Sequence, residues 1–201
     1  LFELAAIGYA QGLAEKRTRY WSLGWASEFF VRPQEGTRMA GRGGFQAIAP
    51  GEVDRLLALP FKERWDFAAS EGSAVFVARM DKAWVAIHCA LSDGTLYGTL
   101  GEPPLSNAVL GDHLVCQTAL NDFVYLKYPP EVADIAKELS KLSREKFEEK
   151  LAVVEEDEDV EALGLSFVAG ETEYVWAHFD AMRAFYQRAA AEGLAVLFNW
   201  G

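Results

Sequence analysis

The segment "TEYVWAHFDAMRAFYQRAAAEG" (172–193), running on into "LAVLFNW" (194–200), constrains the fold of this chain more than any other. Val175, Phe179, Met182, Tyr186 and Ala189 recur at helical spacing and form one inner face, and Gly193 stands where a helix C-terminal glycine belongs. The apolar run after it is too short and too rich in β-favouring residues to be another helix, and reads as a strand. A long helix that must bury a stripe, followed by a strand that must join a sheet, calls for helices packed on a sheet.

The preceding chain supplies both kinds of element. "GGFQAIA" (43–49) reads as a short strand bounded by glycines and Pro50. "PGEVDRLLALP" (50–60) reads as a helix stopped by Pro60, with Val53, Leu56 and Leu57 on one face. In "DKAWVAIHCALSDG" (81–94) Asp81 is placed to N-cap a helix. Trp84, Ile87, His88 and Leu91 follow at i, i+3, i+4 and i+7, and Asp93-Gly94 ends it. "LGEPPLSNAVLGD" (100–112) is turn-rich around a brief apolar run, Ala108–Leu110. "DFVYLKYPPEV" (122–132) alternates as a strand, with Pro130 placed to begin a helix that buries Val132, Ile135, Ala136 and Leu139. Ser143 can cap a further helix carrying Phe147, Leu151 and Val154. Without a regular βαβ repeat, the class is α+β: a small mixed sheet packed with several helices, the long C-terminal helix being followed by a final strand. Residues 1–38 carry Tyr20, Trp21, Trp25, Phe29 and Phe30 without a sustained period. They read as an N-terminal extension to a single domain at 39–201.

Charge narrows the function classes. The net charge is −11, and it is uneven: residues 145–173 hold 11 Asp/Glu against two Lys, a net of −9, whereas residues 1–44 hold six Lys/Arg against four Glu, a net of +2. A nucleic-acid partner is not expected, because phosphate backbones need a basic surface. No run approaches the length of a membrane span, and no basic-then-apolar start suggests a secretory leader, so the expected location is cytoplasmic, away from membranes. Cys89 and Cys116 read as free thiols.

From residue 81 onward a resemblance becomes specific. Asp81-Lys82-x-Trp84-x-x-Ile87-His88-x-x-Leu91-Ser92 is followed by Pro104-Leu105-Ser106-x-Ala108-Val109-Leu110-Gly111-Asp112-His113. These two blocks, in this order, resemble the YfbM-like family, a bacterial domain of unknown function. The opening "GGFQAIAPGEVDRLL" and the ending "FYQRAAAEGLAVLFNW" are similar to the family's two ends. The likeness spans about residues 39–201. Residues 1–38 have no counterpart, and Asp93 intervenes before Gly94 where the family tends to run directly to glycine. The resemblance implies an α+β bacterial cytoplasmic protein. It supplies no reaction, cofactor or catalytic residue.

Candidate chemistry is therefore read from residue types. On a helix, Asp81 and His88 share a face but lie about 10 Å apart along the axis, beyond the reach of a base and its orienting carboxylate. His88 reads as a half-buried histidine at the rim of a core, packed near Trp84. His113, after "LGD", is the better placed of the two for exposure, and His88, Asp112 and His113 would form an acid–base cluster if the fold brought them together. Adding Cys89 and Cys116 gives zinc-ligand types, but adjacent His88 and Cys89 diverge by about 100° on a helix, so no metal is expected. No nucleophile elbow or phosphate loop is present, and no cofactor is expected.

Two functions follow. The first is a non-catalytic protein-interaction domain, inhibitor- or immunity-like, meeting a basic protein through the acidic run Glu155, Glu156, Asp157, Glu158, Asp159 and Glu161. The alternative is an enzyme or small-molecule-binding protein with a cleft near His88 and Asp112–His113.

Overall fold

The final strand lies at the centre of the fold. The computed structural model describes residues 42–92, 101–119, 122–155 and 172–201. Along the chain come β1 (Gly43–Ile48), α1 (Pro50–Ala58), α2 (Glu63–Ala69), β2 (Ala74–Asp81), α3 (Ala83–Leu91) and a 3-10 turn at Leu105–Asn107. Then follow β3 (His113–Gln117), β4 (Phe123–Lys127), α4 (Pro129–Leu139), α5 (Arg144–Glu155), α6 (Thr172–Ala191) and β5 (Ala195–Trp200). The five strands order as β2-β1-β5-β4-β3. Every pairing among the described residues is antiparallel, so the α+β class holds and the sheet is antiparallel throughout rather than mixed.

Residues alternate across the sheet as the two-residue period requires. On one face Phe45 of β1, Phe198 of β5 and Tyr125 of β4 stand in register as an aromatic row, and α3 to α6 contribute to the core above it. On the other face Ile48, Ala195, Leu197, Val124 and Leu126 meet Val53 and Leu56 of α1 and Ala68 of α2. Gly43 marks the tightest approach: a Cβ there would lie 2.6 Å from Trp84 Cδ1 and 2.9 Å from the Phe198 ring.

The helix ends follow local chemistry. In α6, Leu194 N–H donates to Ala189 O at 2.9 Å and Gly193 N–H to Ala190 O at 3.2 Å, with Gly193 at φ 64, which makes the Schellman arrangement expected of that glycine. Ser143 Oγ accepts from Lys146 N–H at 3.3 Å at the start of α5. Pro129, one residue earlier than expected, opens α4 after Tyr128.

Two expectations about α3 are corrected. Its N-cap is Lys82. Asp81 instead ends β2 at φ 45, a left-handed conformation that aspartate tolerates better than most residues, and it accepts from Tyr174 Oη at 3.3 Å. His88 is also not at a half-buried rim: all residues from Ala83 to Leu91 are buried, because α3 lies between the sheet and helices α5 and α6. Strand β2 and helix α2 were not anticipated. Residues 1–38, the Asp93-Gly94 stop and the acidic run beyond the backbone of Glu155 lie outside the described residues.

Candidate functional site

The sequence continues the inward phase of Phe123 and Tyr125 to Lys127, the last residue of β4. A lysine is therefore carried onto the aromatic face, where it is 1% exposed. Its Nζ donates to the carbonyl of Val109 and lies 5.6 Å from the ring centre of Phe198, 5.9 Å from Tyr125 and 6.0 Å from Phe45. Burial pushes its pKa down to about 7, against the pull of Glu131 and Asp112, which favour the ammonium.

Immediately after Lys127 the chain turns into α4. Glu131 stands at the third helical position, and its Oε2 accepts from the Tyr128 N–H at 2.7 Å, one half of a capping box. The other carboxylate oxygen lies 3.0 Å from His113 Nε2. The His113 ring sits edge-on to Tyr128, with centres 5.1 Å apart. Asp112 Oδ2 accepts from Asn107 Nδ2 at 2.7 Å. From α6, Tyr186 Oη donates to Ala108 O at 2.5 Å, and burial raises the pKa of this phenol well above its ordinary value. The stretch 108–113 thus lies over Lys127. Gly111 is required there twice over: its φ is 127, and a Cβ would approach Lys127 Cε to 3.1 Å.

The expected residues divide accordingly. Asp112 and His113 fall together at one end of this stretch, with Glu131 as the carboxylate His113 meets. His88, expected at a half-buried rim, is 1% exposed on α3, a helix buried along its whole length. Cys89 belongs to the aromatic-face core and Cys116 to the opposite one, so the zinc-ligand types are divided by the sheet. Among the described residues no group of three or more His, Cys, Asp or Glu is arranged to hold a metal ion. Lys127, Glu131 and Tyr186 were missed as site residues, although the phase of Lys127 with Phe123 and Tyr125 was legible. Chemically, the arrangement couples an amine close to half-neutral at pH 7 to an exposed histidine–carboxylate pair.

An antiparallel sheet with the C-terminal strand at its middle and helices on both faces makes the described part of the chain an α+β domain. It belongs to the family described as a domain of unknown function (DUF1877), whose model matches residues 39–199. Its fold is similar to the crystal structure of YfbM from Escherichia coli, a protein of unknown function. The TM-score is 0.59 at 20% identity, over 80% of this chain and 99% of that one. No curated protein sequence matches the chain significantly. No helix among the described residues is long and apolar enough to cross a membrane.

Proposed function

We propose that the protein is a non-catalytic binding domain, centred on residues 39–201 of a bacterial cytoplasmic chain, that meets a basic protein through an acidic surface. The observation that carries this reading is the link between α5 and α6. Residues 156–171 hold Glu156, Asp157, Glu158, Asp159, Glu161 and Glu171, with no Lys or Arg. On the flanking helices, Arg144 at the start of α5 pairs with Glu148 at 2.7 Å and Glu173 at 2.6 Å. An acidic surface accelerates encounter with a basic target and makes association salt-sensitive. The test is capture of partners by the full chain, compared with a variant carrying E156Q, D157N, E158Q, D159N and E161Q. A basic partner, lost from the variant and bound more slowly as salt is raised, is the expected outcome. A principal partner held equally by both proteins at all salt concentrations would overturn the reading.

The exposed Asp112–His113 pair beside Glu131 supports a second reading, a small-molecule or catalytic site, with Glu131 and Lys127 in the place first given to His88. Titrating small carboxylates and carbonyl compounds while following the His113 ring by NMR tests it. Saturable shifts absent from a Glu131→Gln variant are expected; none with any compound would count against it.

A further inference from the structure

Lys127 is the one charged-type side chain that is fully buried among the described residues, and its hydrogen bond to Val109 O is the one it makes there. An ammonium offers three donors; here it meets one carbonyl and three aromatic rings at the outer limit of cation–π range. The stretch above it is tied down at two successive carbonyls. Ala108 O takes the Tyr186 hydroxyl and Val109 O takes the Lys127 amine.

We propose that residues 108–113 form a strap whose hold depends on the charge of Lys127, closed over the neutral amine and released more readily once the ammonium forms. Release lets the ammonium reach water, which the covered position denies it. The charged groups acting on the amine are Glu131 from α4 and Asp112 from the strap; Tyr125 of its own strand lies beside it, Tyr186 from α6 holds the neighbouring Ala108 carbonyl, and His113 meets Glu131. The two carboxylates and the rings favour the ammonium. Desolvation opposes it and prevails, at about 7 against the ordinary 10.5. Both phenols are pushed upward by burial, Tyr125 to about 12, so they keep their protons throughout.

The sign follows from linkage. Below about pH 7 the covered and released forms both carry the proton, and release is independent of pH. Above it, closing expels a proton, so the closed-to-open ratio rises about tenfold per pH unit until the free amine also titrates. The strap carries Asp112 and His113, so their presentation varies with pH. This inference is independent of the acidic-surface reading.

Hydrogen exchange at the Ala108 amide, which donates to Leu105 O at 3.0 Å, reads strap release in the full chain. Corrected for intrinsic exchange, its protection should be flat below pH 7 and rise about tenfold per unit above. It should stay below that of Val196 in the central strand. Lys127→Met should abolish the slope, and Tyr186→Phe should lower protection at every pH while keeping it. A wild type without the slope, a Met variant that retains it, or Ala108 protected as strongly as Val196 would overturn the proposal. Should the Met variant not fold, the carbon resonance of the Lys127 ε-methylene in the wild type decides: titration above pH 9 overturns the strap, and titration below pH 9 upholds it.

Discussion

On one face of the sheet Phe45, Phe198 and Tyr125 interlock with residues from four helices, whereas on the other Ile48, Leu197 and Leu126 meet two short helices. The aromatic face is a continuous set of ring contacts. Phe198 lies 5.0 Å from Phe45 and 5.4 Å from Trp84, and Phe45 continues to Phe185 and Tyr186 at 5.7 and 5.6 Å. The aliphatic face is smaller and does not extend across the sheet: on the edge strand β2, Val75 and Val77 are 52% and 40% exposed. Among the described residues each face buries one long polar strand side chain, under opposite terms. Gln46, on the aliphatic side, is matched to the Ala68 carbonyl at 2.5 Å and carries no charge. Lys127, on the aromatic side, holds an ionisable group where charge is costly. Stability is thus concentrated on one face, and that same face carries the pH-responsive element.

Adjacent residues of β5 test the asymmetry most severely. Phe198 and Leu197 are both completely buried and point to opposite faces. Phe198→Ala should cost about 3–5 kcal/mol, because interlocked rings cannot close the void. Leu197→Ala should cost about 2 kcal/mol, the low end for such truncations, under a thinner and more yielding cover. Denaturant unfolding of both variants measures the difference, and equal losses would abolish the distinction between the faces. Gly43→Ala probes the aromatic side by overfilling. With Trp84 and Phe198 both inside 3 Å of the added carbon, a loss of about 1–3 kcal/mol is expected. A neutral result would mean that the ring layer yields more than its contacts imply.

The two polar insertions differ in their response to pH. The folded pKa of Lys127 is lowered to about 7, so between pH 7 and 10.5 the unfolded chain binds more protons than the folded one. Lys127 therefore makes stability rise with pH in that window, by at most about 1.4 kcal/mol per unit, and adds no slope below it. Thermal melts across about pH 7–8.5, below the range where the raised Cys116 thiol and the raised phenols take stability away as pH climbs, should show this rise in the wild type and lose it in Lys127→Met. Gln46→Leu should leave it intact. A slope preserved without Lys127 would assign the effect to another group.

These contrasts were unequally legible in the sequence. Helix α6, its glycine cap and strand β5 follow from a clear stripe and an abrupt change of period. The short α2 spans too few residues to establish a period, and β2 hides its alternation because Val75 and Val77 on the exposed side are as apolar as Phe76, Ala78 and Met80 on the inner one. The full burial of His88 could be inferred: Val85, Ala86, Cys89 and Ala90 make α3 apolar all round, the mark of a helix enclosed on every side. Asp112 and His113 were recognisable as neighbours. Their association with Glu131 and Lys127 depends on the β3–β4 pairing and on the cap of α4, both tertiary facts. The acidic run could be read only as composition.

The outer side of β2 gives the smallest expected effect. Val75 and Val77 stand on the aliphatic face beyond the reach of α1 and α2, and truncation or polar replacement of exposed side chains ordinarily changes stability by no more than about 0.5 kcal/mol. The double substitution Val75→Thr and Val77→Thr keeps the β-branching that suits a strand, so β propensity is little disturbed. A change within about 0.5 kcal/mol is therefore expected, with the hydrodynamic size of the chain unaltered. A loss well beyond that would show that this side is covered in solution, and the two faces would then differ in chemistry but not in extent of burial. Concentration-dependent stability in the wild type, absent from the variant, would identify a second copy of the chain as the cover, since association stabilises by mass action.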